Sequence, residues 1–150
     1  MLTVTEVLIA TDSDAVFDEV EAALADESTT VMRVRTGRAV GAAVKVSAPD
    51  LVVLDLQIGS MGGIAVCLHL RAEAGEGRLP EVPVLLLLDR VADVQLARRS
   101  GAEGWVVKPL DAFSLRRAAT LVLTGEAMAG ASPAMEPAFV ASAILEPTPD

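Results

Sequence analysis

A chain of 150 residues has room for one compact domain, long enough to bury a core without disulfides or a structural metal. Hydrophobic residues make up 52% of it but aromatics only 3%, so the interior must be built from Val, Leu, Ile and Ala, which suits a parallel sheet covered on both faces. The net charge is -9, and from Gly125 onward there are four acids and no Lys or Arg, leaving the body at -5. Acidity in both parts argues against direct nucleic-acid binding, which needs clustered cations. The lone Cys67 excludes an internal disulfide framework and a Cys-based zinc site and reads as a small buried residue. With no basic-then-apolar leader and no apolar run long enough to cross a bilayer, the expectation is a soluble, cytoplasmic protein without membrane contact.

In chain order, Glu6–Ala10 reads as a first strand. Val16, Phe17, Val20, Ala23 and Leu24 follow at helical spacing, with Asp14 as the expected N-cap. Thr29–Val34 is β-branched and alternating, a second strand nearer an edge. Arg38–Ser47 is Ala/Val-rich and helical, and Pro49 helps to end it. Leu51–Leu54 is a buried strand with Asp55 at its carboxyl end, and a Gly-rich loop through Gly63 leads into a helix over Ile64–Ala74. Val84–Leu88 is a fourth strand, Val91–Ser100 a short helix and Gly104–Val107 a fifth strand. Asp111 then caps a last helix carrying Phe113, Leu115, Ala118, Ala119 and Val122 on one face. Strands alternating with helices in this way give a parallel, doubly wound sheet with right-handed crossovers. After Leu123 the composition shifts, and four of the eight prolines fall within Pro133–Pro149. Such a segment reads as flexible, although Phe139, Val140, Ala143 and Ile144 share the spacing of a short docking helix.

In an open α/β sheet, ligands bind beyond the carboxyl ends of the strands. Asp12, Asp55 and Lys108 are expected at that rim, after strands one, three and five. Two carboxylates and a lysine suit a divalent cation and a phosphoryl group, and a carboxylate can itself attack phosphorus to give an acyl phosphate. His69 has no partner motif and reads as a surface histidine. Trp105 reads as half-buried packing.

Four stretches carry a resemblance: Val7-Leu-Ile-Ala-Thr-Asp12, Pro49-Asp-Leu-Val-Val-Leu-Asp55, Pro83-Val-Leu-Leu-Leu87 and Gly101-Ala-Glu-Gly-Trp-Val-Val-Lys-Pro109. In order and spacing they resemble the receiver domain of two-component response regulators. The resemblance covers Thr5 to Leu123, and its last block is the most specific part. It implies an α/β, flavodoxin-like, doubly wound sheet of five parallel strands in the order 2-1-3-4-5 with five helices. The domain would occupy residues 1–124, ahead of an acidic Ala/Pro-rich tail over 125–150. It further implies that Asp55 is the phosphoacceptor, supplied by a histidine kinase or phosphotransfer protein. Asp12, Asp55 and the backbone carbonyl of Gln57 would hold Mg²⁺, Lys108 would pair with the phosphoryl oxygens, and Pro109 would form a Lys-Pro corner. Trp105 would stand at the aromatic position whose rotamer reports activation.

Several positions depart from the family pattern. Thr11 stands where the first acid of a pair is expected, which weakens Mg²⁺ binding. Gly59 replaces a proline and Gly62 an acid, loosening the loop after Asp55. Leu88 occupies the switch position, where a Thr or Ser hydroxyl would reach the phosphoryl group. Asp89 follows where a small residue is usual; directed at the site, it would repel an incoming phosphoryl group and compete for Lys108. The stretch from Leu88 to Gly101 is about two residues shorter than is common for the family, so its helix should be short.

Two readings therefore stand. One is a single-domain regulator, phosphorylated on Asp55 and acting on an unknown downstream protein through protein–protein contacts. The other is a phosphorylation-independent interaction module using Arg98, Arg99, Trp105, Leu115 and Arg116, and a homodimer through the same helix 4 to helix 5 face is compatible with both. Neither is an enzyme. Asp12-Ser-Asp14-Ala-Val16 resembles the first motif of haloacid-dehalogenase-type phosphatases, but no acidic pair follows Lys108. A flavodoxin-like cofactor site fails because Thr11–Asp14 puts negative charge where a phosphate would sit.

Overall fold

A computed structural model describes residues 4–125. Five parallel strands form one sheet in the order β2-β1-β3-β4-β5. They are β1 (Thr5–Ala10), β2 (Thr29–Val34), β3 (Leu51–Asp55), β4 (Val84–Leu88) and β5 (Gly104–Val107). Between and after them run α1 (Asp14–Leu24), α2 (Arg38–Ser47), α3 (Gly63–Gly75), α4 (Val94–Arg99) and α5 (Ala112–Leu123). This is the flavodoxin-like order expected from the sequence. The tail beyond Gly125, including the spacing at Phe139–Ile144, lies outside the described residues.

Aliphatic runs form these strands because both faces of the sheet are covered. Val7, Ile9, Leu51, Val53, Leu85, Leu87 and Val106 bury against α1 and α5 in one core. Their neighbours Leu8, Ala10, Val52, Leu54, Leu86, Leu88 and Trp105 bury against α2, α3 and α4 in the other. The two-residue period of a strand sorts side chains between the layers. It also fixes where the next residues point. Thr11, Asp55, Asp89 and Lys108 each stand two positions beyond a residue of the α1/α5 core, so the alternation carries all four to one side of the sheet rim.

Several local expectations need correction. Ser13, not Asp14, caps α1, its hydroxyl accepting the Val16 N–H at 3.2 Å. Asp14 is drawn away by Arg33 of β2 and Arg35 just after it, at 2.9 and 3.2 Å. Phe113 is 68% exposed. It lies two residues before Leu115, roughly 200° round the helix from the buried stripe. Trp105 is not half-buried but 1% exposed, within the α2–α4 core. Trp105 and Leu115 therefore cannot serve as surface contacts, whereas Arg99 and Arg116 are exposed. Asp111 caps α5 as expected, accepting the Ser114 N–H at 2.8 Å, Cys67 is buried and His69 is exposed.

Candidate functional site

Asp55 ends the central strand with its carboxylate 2% exposed, and every oxygen is occupied. Oδ1 accepts from the Lys108 ammonium at 2.8 Å and from the Gln57 N–H at 3.2 Å. Oδ2 accepts from the Thr11 hydroxyl at 2.6 Å. Thr11 is fully buried; its hydroxyl also accepts the Ser13 N–H, and its carbonyl accepts from Arg33 Nε. Burying a charge is costly unless it is paired and hydrogen-bonded, and here a lysine, a hydroxyl and an amide share that task.

The loop after Asp55 is held more firmly than its glycines suggested. The Gly59 N–H donates to Asp12 Oδ2 at 3.0 Å, and the Gly59 carbonyl accepts the Gly37 N–H at 3.0 Å. Gly63 must lack a side chain, since a Cβ there would sit 2.8 Å from the Asp55 carbonyl oxygen. The absent loop proline is replaced by contacts made in space.

On the other side of Asp55 stands Asp89. Lys108 Nζ reaches Asp89 Oδ1 at 3.1 Å while holding Asp55, and the Gln57 side-chain amide donates to Asp89 Oδ2 at 2.5 Å. One lysine thus bridges two carboxylates, and Gln57 ties the loop after β3 to the residue after β4. Burial pushes the Asp89 pKa up, but the hydrogen bonds from Gln57 and Lys108 outweigh it and hold the carboxyl below its ordinary range. For Lys108, burial pushes down, and the bonds to Asp55 and Asp89 reverse this and raise the ammonium above its ordinary value. Sequence reasoning placed Asp89 near Lys108 but missed the Gln57 side chain. The register pairing Asp55 with Leu87 held the clue, because each is followed two residues later by one of the pair.

Leu88 behaves differently. It is fully buried on the α2–α4 side, with Trp105, and has no polar atom to offer Asp55. Its carbonyl accepts the Lys108 N–H at 2.8 Å, so β4 still positions Lys108, and the Lys108–Pro109 peptide is cis.

Asp12, Asp55 and the Gln57 carbonyl are hard oxygen donors of the kind Mg²⁺ takes. The Asp12–Gly59 bond keeps the Asp12 carboxylate against the loop that carries Gln57. The donors fit Mg²⁺ in kind. Thr11 makes the set one carboxylate short, and among the described residues no three His, Cys, Asp or Glu side chains come together as a metal site.

The response-regulator receiver-domain model matches residues 7–120. The chain belongs to this family. Among curated relatives, the receiver is 44% identical over 69 residues to the DNA-binding response regulator MtrA of Mycolicibacterium smegmatis, covering 45% of this chain and 28% of MtrA. It is 30% identical over 109 residues to the transcriptional regulatory protein CseB of Streptomyces avermitilis, covering 71% of this chain and 44% of CseB. The chain therefore spans less than half the length of these relatives. Among solved structures, the chemotaxis response regulator CheY4 of Vibrio cholerae superimposes with TM-score 0.71 at 24% identity, over 80% of this chain and 99% of that one. The signal receiver domain of a histidine kinase from Syntrophus aciditrophicus gives 0.70 at 28% identity, over 81% of this chain and 91% of that one. The domain is a signalling module of two-component systems. No helix among the described residues is long and apolar enough to cross a membrane.

Proposed function

We propose that this receiver accepts a phosphoryl group on Asp55 from the phosphohistidine of a kinase or phosphotransfer protein in the cytoplasm, and acts through protein–protein contacts. The observation that carries the reading is the Lys108 ammonium 2.8 Å from the Asp55 carboxylate at the carboxyl end of the central strand. A carboxylate oxygen of Asp55 attacks phosphorus. The O–P bond forms as the P–N bond breaks, and the electron pair of that bond stays on the imidazole nitrogen of the donor. Lys108 neutralises the phosphoryl oxygens, and the Thr11 hydroxyl and Gln57 amide orient the carboxylate. Mg²⁺, held by Asp12, Asp55 and the Gln57 carbonyl, supplies further charge neutralisation when bound. Residues 1–124 form the receiver unit in this reading, and the acidic segment 125–150 is a separate tail. The partners in this reading are proteins, in keeping with a net charge of -9, which disfavours nucleic-acid phosphates.

A second reading has its own support. Asp89 already occupies Lys108, and Leu88 offers no hydroxyl, which favours an interaction module that works without phosphorylation. The deciding experiment is an intact-mass spectrum of the wild type and Asp55→Asn after incubation with Mg²⁺ and acetyl phosphate. The expected outcome is one added phosphoryl group on the wild type alone. An unmodified wild type favours the second reading, and equal labelling of both proteins removes Asp55 from its role.

A further inference from the structure

We infer that Asp89 is the switch of this receiver, an internal anion that leaves Lys108 when Asp55 is phosphorylated. The inference rests on the phosphoacceptor reading of Asp55 and adds the step by which modification would be felt elsewhere.

The familiar route would be attraction, a hydroxyl at position 88 drawn toward the phosphoryl oxygens. Leu88 has no hydroxyl and is buried among apolar side chains on the far face of the sheet. Asp89, the next residue, faces Asp55 and shares its cation. Lys108 Nζ sits 2.8 Å from Asp55 and 3.1 Å from Asp89, so in the unmodified protein one positive charge serves two negative ones. A phosphoryl group on Asp55 brings roughly two negative charges to that place. It outcompetes a single carboxylate for the lysine, and it stands close enough to Asp89 to repel it. Asp89 then keeps only the neutral Gln57 amide and the more distant charge of Arg90.

The chain after Asp89 is a short unit whose far end is anchored by Val94 and Ala97 in the α2–α4 core. Arg90 and Asp93 cap each other: the Arg90 N–H and guanidinium both donate to the Asp93 carboxylate, at 3.0 and 3.1 Å. That pair closes the tight turn Val91–Asp93, which continues directly into the six-residue α4. Losing the hold on Asp89 frees the near end of this short unit, whose own bonds between Arg90 and Asp93 then open more often. The unit carries Val91 and Leu96 exposed on its outer surface, so a displacement at Asp89 changes what the surface presents. The coupling runs through repulsion rather than attraction, and it needs no hydroxyl at position 88.

The test uses the full chain with Mg²⁺ and beryllium fluoride as the phosphoryl mimic. Bound-fluoride signals in the fluorine NMR spectrum report occupancy, and amide hydrogen exchange at residues 89–94 reports release. In the wild type, occupancy should raise exchange in this segment by roughly tenfold or more. In Asp89→Ala the segment should exchange fast from the start, with no further rise on binding and with tighter binding of the mimic. Asp89→Asn removes the charge that the phosphoryl group repels while its carbonyl can still accept from the Gln57 amide, so the rise in exchange on binding should be clearly smaller than in the wild type. Occupancy in the wild type without faster exchange overturns the switch alone, as does an Asp89→Asn protein that responds like the wild type. No bound fluoride in any of the three proteins overturns the switch together with the phosphoacceptor reading.

Discussion

The carboxyl ends of β3 and β4 lie side by side, joined by the pairing of Asp55 with Leu87, yet they carry opposite chemistry. At the end of β3 a buried carboxylate is served by three donors and positioned by a tied-down loop. At the end of β4 a hydrocarbon points into the far core, and a second carboxylate faces back toward the lysine. The contrast teaches that accepting a charge and reporting it are separate tasks. The alternation of a strand hands them to residues on opposite faces, or one position apart, so one can be rebuilt without the other. On the phosphoacceptor reading proposed above, the β3 end keeps its donors while the β4 end carries a charge in place of a hydroxyl.

The largest expected effect comes from removing what joins the two ends. Lys108→Met leaves Asp55 and Asp89 facing each other without their shared cation. Taking one partner from a buried pair costs about 3–5 kcal/mol, and the partial exposure of Lys108 lowers the expected loss to about 2–3 kcal/mol in a urea titration. Adding Asp89→Ala should return part of that loss, because only one carboxylate is then stranded. A double variant as unstable as the single one would break the comparison, since the two ends would then not share their electrostatics through Lys108.

Leu88→Thr sharpens the comparison by restoring the absent hydroxyl. The substitution empties part of a fully buried site and buries a polar atom, so a loss of about 1–3 kcal/mol is expected. In exchange, occupancy of the site should change the fluorescence of Trp105, which shares the α2–α4 core with position 88. Unchanged fluorescence in an occupied Leu88→Thr protein would count against position 88 as the missing element.

The sheet was legible because buried strands are written as uninterrupted aliphatic runs: Val84–Leu88 needs no context to be read as a covered strand. Asp55 and Lys108 were legible for a related reason, each being the first polar residue after such a run, on the α1/α5 side or beside it. Contacts that depend on register between distant segments were not. Ser13 and Asp14 can both cap a helix, and the choice falls to Ser13 because Arg33 of β2 and Arg35 just after it take Asp14. The bond from Gln57 to Asp89 spans 32 positions and follows from a strand pairing that composition does not reveal. Trp105 reads as half-buried because tryptophan usually keeps its indole N–H near water, but here the short β5 runs at the edge of a sheet whose far face is covered by α4.

The smallest effect tests whether stability and site chemistry separate. Asp111→Ala removes the cap of α5, away from both strand ends, and should cost about 1 kcal/mol. The Ser114 N–H holds the Asp111 carboxyl below its ordinary value, so the carboxylate form is the one that folding favours. Its contribution is therefore present above pH 3.8, the ordinary value, and is lost as pH falls below it. Urea midpoints of wild type and variant should differ near neutral pH and converge in acid. Occupancy by beryllium fluoride and exchange at residues 89–94 should be unchanged, because no hydrogen bond links Asp111 to Asp55, Asp89 or Gln57. A variant that lost both stability and occupancy would tie the start of α5 to the site through Lys108 and Pro109, and the contrast between β3 and β4 would have to be extended to β5.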